Sequence, residues 1–374
     1  MLAITILLFA ASTSAGEDNS DYHVHPGQSI QEAIEKAASD PARKKVLVHA
    51  GTYRPSKPAQ ALVWFNARHN GITLEAIGDV VLTAANPYVS SPDTESFPAI
   101  VNHVVYFGDG VGRDTVLRGF KITGANHFVT RSEQPGPIQP PLAEKKLRKA
   151  LFFYADGGAI KIFGRSYPTI DQVEIYENYA SPCGGGISIE HRTFNRHAVL
   201  ITNSVFRQNS CQITGSAIDV LPDSAAAIIN CLFVANIANT GVDYVSSPDA
   251  KYNKQHGSGA LTAFPGARVQ VRRCTFTGNW NGADDKGSGN LYADTIFWQN
   301  NAGGGTSPGD RYELDILDAS GVKRCFFGGD TPDLRKTIDR TFNVLDADDP
   351  DFDLHYVPRH PAYAEAGYRP VTIE

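Results

Sequence analysis

Two carboxylates, two cations and a histidine stand out in the middle of this chain: Lys161, the run Glu190-His191-Arg192, and Asp219. Glu190 and Asp219 could serve as the acid and base that cleave a glycosidic bond. Alternatively, Arg192 or Lys161 could act as base or charge clamp while the proton beside a uronate carboxylate is abstracted and negative charge develops. His191 is the neighbouring group that ordinarily titrates near neutrality. Glu190 and Asp219 are also candidate calcium ligands, with Asp284 and Asp285 as further acids, though no loop carries the alternating acidic spacing of a dedicated calcium site. No Cys or His spacing suggests zinc. The competing explanation is that Glu190 and Arg192 simply pair at the rim of a turn.

These residues can meet only if distant segments are stacked, and the chain carries a repeat that would stack them. Asn178, Asn209, Asn236, Asn279 and Asn300 are each preceded, three positions earlier, by Ile175, Phe206, Phe233, Phe276 and Phe297. Glycine-rich steps recur alongside: Gly157-Gly158-Ala159-Ile160, Gly185-Gly186-Ile187, Gly215-Ser216-Ala217-Ile218 and Gly257-Ser258-Gly259-Ala260-Leu261. A phrase returning every 21 to 43 residues is too short to bury its own apolar face and must pack on copies of itself. The segments between, such as 198–201, 226–229 and 268–271, are short, rich in β-branched residues and bounded by turn formers, hence strands. Coils of parallel strands stack about 4.8 Å apart, so like residues form columns. The phenylalanines would pile up inside, and the asparagines would bond one another and the turn backbone.

This wording resembles the right-handed parallel β-helix of the pectate lyase superfamily, and its Gly-Gly-Ala-Ile and Phe-x-x-Asn phrases resemble the repeats of polymorphic outer-membrane proteins. The resemblance covers about residues 100–330. It implies an all-β, single-stranded right-handed parallel β-helix, a β-solenoid with an N-terminal capping helix, and suggests β-elimination of an acidic polysaccharide, often with calcium in that superfamily. The superfamily's catalytic arginine motif is not recognisable. Since this fold carries lyases, hydrolases and inert adhesins alike, a β-helix glycoside hydrolase and a non-catalytic adhesive or surface protein stand as alternatives.

Aligning the glycine steps puts Lys161, Ser188, Asp219, Thr262 and Tyr292 in one outward column, and Phe163, Glu190, Leu221, Phe264 and Asp294 in the next. A polymer would lie along that strip. Two insertions, 131–150 and 241–257, break the repeat and would wall the groove. The second offers Lys251, Tyr252 and His256, which with Tyr292 are the candidate substrate-binding residues; His127 and Arg131 begin the first.

The ends read as caps. Ser29 to Glu32 opens an amphipathic helix over Ile30, Ala33, Ile34 and Ala37, within an N-cap spanning about 22–45, and about 330–374 forms an irregular C-terminal cap, its dense aspartates hydrated. Residues 1–15 read as a signal peptide, with an apolar run from Leu2 to Ala11 and small residues at Thr13-Ser14-Ala15, leaving 16–374 as one secreted or periplasmic domain. No other stretch could span a bilayer as a helix. A formal charge of −6 without a basic block argues against nucleic acid, and a monomer bound to polysaccharide is the expected state. Cys231, Cys274 and Cys325 read as small core fillers in one column with Val173, Ser204 and Thr295, whereas Cys183 and Cys211, in neighbouring turns, are the one pair placed to bond.

Overall fold

In the computed structural model, which describes residues 21–131, 151–238, 258–300, 312–328 and 336–371, the chain is a parallel β-helix. Eight strands stack in sequence order into one sheet: Ala59–Phe65, Val101–Phe107, Ile160–Phe163, Ile187–Glu190, Ile218–Val220, Leu261–Ala263, Ala283–Asp285 and Leu314–Ile316. A second sheet holds seventeen strands among the described residues. Each middle coil gives it two short strands, such as Val199–Thr202 and Val205–Arg207, joined at a corner residue with positive φ. Asn203, Asn230, Arg273 and Asp294 occupy that corner in successive coils. Every register recorded between neighbouring strands is parallel, as a coil that always winds the same way requires.

The predicted interior columns are present. Phe206, Phe233, Phe276, Phe297 and Phe327 stack with successive ring separations of 4.9, 4.2, 4.8 and 5.1 Å. Beside them, Asn178 donates to Asn209, Asn209 to Asn236, Asn236 to Asn279 and Asn279 to Asn300, over 3.1, 3.0, 2.9 and 2.7 Å. Each of these asparagines follows a left-handed residue (Glu177, Gln208, Ala235, Gly278, Gln299), where the bend leaves backbone groups that the amide then satisfies. The ladder ends on the carboxylate of Glu313, which accepts from both the backbone N–H and the side chain of Asn300. Cys231, Cys274 and Cys325 are buried with Val173, Ser204 and Thr295, as expected of fillers.

Helix Ile30–Ser39 closes the N-terminal end, with Ser29 accepting from the Glu32 N–H and Ile30, Ala33, Ile34 and Ala37 buried. The C-terminal segment does more than cap. Residues 342–347 lay a last turn on the strand Phe326–Gly328, and Ile338 is buried in the core. The chain then runs back along the outside of the large sheet, where Gly367 donates to Asp294 O, Tyr368 to Thr275 Oγ1 and Arg369 to Asn230 Oδ1. Tyr363, Ala366 and Tyr368 are buried there. This strap was not foreseen from the sequence, because its anchors are single side chains far apart along the chain.

Candidate functional site

Strand alternation in the eight-stranded sheet sends Ile160 and Ile162, Ile187 and Ile189, Ile218 and Val220 inward, and turns the residues between them outward. The outer column consequently runs Trp64, Tyr106, Lys161, Ser188, Asp219, Thr262, Asp284 and Asp315. Lys161 and Asp219 therefore share one face, with Ser188 between them. Phe163 and Glu190 are in register in the next outward column, which Leu221 and Phe264 continue through the Leu221 N–H to Ile189 O and Phe264 N–H to Val220 O bonds.

Two expected members of these columns lie elsewhere. Tyr292 pairs with Val271 in the large sheet and is fully buried in the core, so it is no substrate-binding residue. Asp294 is a left-handed corner residue of that sheet, held by the Arg324 guanidinium at 2.6 and 2.8 Å. The alignment slipped because the coil containing Asp284 has a short turn with no Gly-Ala-Ile wording; Asp284 occupies the place assigned to Tyr292, and Asp315 continues the column. Lys251, Tyr252 and His256 lie outside the described residues.

The outer face is enclosed by the turn that precedes each strand. Gly184 and Gly215 adopt φ of +66° and +67° and fold back over Ser188 and Asp219; a Cβ on Gly215 would lie 2.7 Å from Asp219 Oδ1. On the other side, Phe153, Tyr154 and Phe163 pack with Trp64 and Tyr106, and the short helix Leu151–Ala155 supplies two of these rings. Lys161 and Asp219 are thus fully buried and Glu190 nearly so, which a plain reading of an outward strand face does not predict.

Inside this enclosure Lys161 Nζ lies 2.7 Å from Glu190 Oε2 and donates to Ser188 Oγ at 3.1 Å. Arg192 Nε donates to the other Glu190 oxygen at 2.5 Å, while its guanidinium lies over the Phe163 ring. Burial alone would raise Glu190, but the Lys161 and Arg192 charges outweigh it and hold the carboxylate below its ordinary range. Asp219 is the opposite case. Neither of its oxygens has a hydrogen-bond partner among the described residues. Burial, reinforced by the charges of Asp156 and Glu190 against the opposing pull of Lys161, pushes it well above the carboxylate range, so it prefers to be protonated.

His191 does not join them. Its Nε2 is 2.8 Å from Ser166 O and its Nδ1 accepts from the Ala225 N–H, so the ring ties neighbouring coils together. Burial lowers it to about 4, leaving a neutral structural imidazole.

Several site residues were missed. Asp156 precedes the first glycine step and is raised to about 7, chiefly by burial. His103 is fully buried, its Nδ1 2.7 Å from Gly157 O, and is lowered to about 3 by burial and by Lys161. Further along the same column is a second polar centre. Tyr312 Oη donates to Asp284 Oδ1 at 2.5 Å, the Gly259 N–H donates to Asp284 Oδ2, and Lys286 Nζ pairs with Asp315 at 2.7 Å. Asp284 is raised to about 6, mainly by burial. The strand alternation that places Lys161 and Glu190 would also have placed Asp284 and Lys286 once the short turn was recognised.

Calcium does not fit the residues proposed for it. Glu190 already engages two cations, and among the described residues no three His, Cys, Asp or Glu side chains converge as metal ligands. Cys183 and Cys211 form no disulfide with each other, Cys211 lying in register with Ala180 rather than with Cys183. No described helix is long and apolar enough to cross a membrane. Comparison with family models, curated proteins and solved structures finds no match, so the site must be read from its own geometry.

Proposed function

We propose that the chain is an exported, monomeric, carbohydrate-active enzyme of the pectate lyase superfamily type, and that the centre around Glu190 and Asp219 cleaves a glycosidic bond of a polysaccharide. The supporting observation is the opposed protonation of two carboxyls on one face: Asp219 favours the neutral acid, while Lys161 and Arg192 keep Glu190 ionised. Paired carboxyls whose environments drive them apart are the equipment of acid–base hydrolysis. Asp219 would protonate the leaving oxygen and Glu190 would take a proton from the attacking water. Their backbones are one coil and two residues apart, roughly 8 Å by strand geometry. Elimination from a uronate, to which the repeat resemblance pointed, needs a neutral base; Lys161 and Arg192 are both engaged as cations by Glu190, so hydrolysis is the better reading. Lys251, Tyr252 and His256 remain the proposed substrate contacts.

A non-catalytic adhesive solenoid is the second reading, favoured by the complete burial of Lys161 and Asp219. Incubation with a panel of neutral and uronate polysaccharides separates the two. New reducing ends without the absorbance of an unsaturated product support hydrolysis. That absorbance would mean elimination, and neither signal would leave the adhesin. In a hydrolase, Asp219→Asn loses on the order of 100-fold or more in turnover with only the small fall in melting temperature that about 1–3 kcal/mol for an unsatisfied buried amide brings; a turnover loss that merely tracks the loss of folded protein would assign Asp219 to the scaffold.

A further inference from the structure

We propose that Asp156 is a positioning residue of this centre: from the opposite wall of the enclosure its carboxylate, once ionised, opposes ionisation of Asp219. The proposal rests on the reading of Asp219 as an acid and adds a group that reinforces the effect of burial. The geometry comes from the glycine turns. Hydrogen bonds from the Gly157 N–H to Cys183 O and from the Gly184 N–H to Thr214 O put Asp156, Cys183 and Thr214 above one another. They form a column on the turn facing Lys161, Ser188 and Asp219 on the strands. Asp156 is fully buried; its Oδ1 accepts from the Cys183 N–H at 3.2 Å and its Oδ2 has no partner among the described residues.

The titratable and charged groups around the pair can be named element by element. Lys161 comes from the strand Ile160–Phe163, Glu190 from Ile187–Glu190 with Arg192 just beyond it, Cys183 from the turn between, and His103 from Val101–Phe107. His103 and Cys183 are neutral, since burial lowers the imidazole and raises the thiol. Lys161 is engaged by Glu190 and Ser188, and Arg192 by Glu190. Asp156 and Asp219 are therefore the two acids of the enclosure that no cation contacts among the described residues. Among charged neighbours Asp156 acts most strongly on Asp219. When Asp156 ionises, a second negative charge on Asp219 becomes harder to bear, so the proton on Asp219 is retained to higher pH.

The test uses the intact protein labelled with 13C at aspartate carboxyls, the Asp219 resonance being assigned by its loss in Asp219→Asn. In the unaltered chain the Asp219 signal should show an additional inflection near pH 7, where Asp156 titrates. In Asp156→Asn that inflection disappears and Asp219 loses its proton at lower pH, whereas Asp156→Glu keeps both features. With a cleaved polysaccharide in hand, Asp156→Asn moves the basic limb of the kcat/KM profile to lower pH, a roughly tenfold loss on that limb. An Asp219 titration with one inflection in the unaltered chain, or one unmoved in folded Asp156→Asn, overturns the proposal. If Asp156→Asn does not fold, the unaltered chain and Asp156→Glu still decide it. A moved titration in a chain that cleaves nothing would end the catalytic reading and leave the Asp156 assignment standing.

Discussion

Replacing Asp156 with Asn should make the protein more stable as pH rises. Asp156 is raised from 3.8 to about 7 by burial, so between those values the folded chain holds a proton that the unfolded chain has released. The sign follows: the unfolded state binds fewer protons, so native stability falls as pH climbs from about 4 to about 7 and levels off above. Each unit is about 1.4 kcal/mol, which gives roughly 4 kcal/mol lost across the window, an upper bound because Lys161, Glu190 and Asp219 titrate around the same enclosure. Asn keeps an oxygen to accept from the Cys183 N–H but has nothing to lose on ionisation. Its amide N–H₂ adds a pH-independent cost of about 1–3 kcal/mol for an unsatisfied buried donor. The diagnostic quantity is therefore the slope. Melting temperatures of the two proteins at half-unit steps from pH 4 to 8.5 should diverge steadily in favour of Asp156→Asn and become parallel above about 7. A difference independent of pH would mean that Asp156 titrates as an ordinary exposed acid and that the electrostatics assigned to the enclosure are wrong.

Three further outcomes test the scaffold. Asn236→Ala removes the middle of the amide ladder, taking away the acceptor of the Asn209 backbone N–H and of one of its two side-chain N–H bonds, and a donor to the carbonyl of Phe206. It should cost about 2–4 kcal/mol in chemical denaturation, and a loss below 1 kcal/mol would mean that the ladder does not hold register. Phe276→Ala opens a gap between rings 4.2 and 4.8 Å away and should cost about 3–5 kcal/mol; a cost as small as that of an exposed Phe342→Ala would count against a packed column. Gly215→Ala meets both a positive φ and the Asp219 carboxyl at 2.7 Å, while Gly289 has φ of +70° and nothing within 4 Å. Gly289→Ala should therefore cost only about 1 kcal/mol, Gly215→Ala clearly more, and thermal melts of the pair separate the two contributions.

How the sequence relates to the site can be argued residue by residue. The stacking of Asn178 to Asn300 and of Phe206 to Phe297 was legible because each residue satisfies a need its own coil repeats: a left-handed bend to cap and a hollow interior to fill. The same period carried Lys161, Ser188 and Asp219 correctly onto one face. It failed at Tyr292, where one short turn replaced the glycine phrase and shifted the count by a strand. It was silent about Asp156 and the C-terminal strap, whose partners are fixed by how turns fold back in space.

Local pattern thus determined that this chain coils, which residues point inward, and that a polar column runs down one outer face, because strand alternation and a recurring turn are properties of neighbours along the chain. Only the tertiary structure decided that this outer face is closed over, that His191 ties coils together, and that Asp219 and Glu190 hold their protons differently. Protonation depends on burial and on charges brought near from other coils, and a linear sequence contains neither until the chain has stacked.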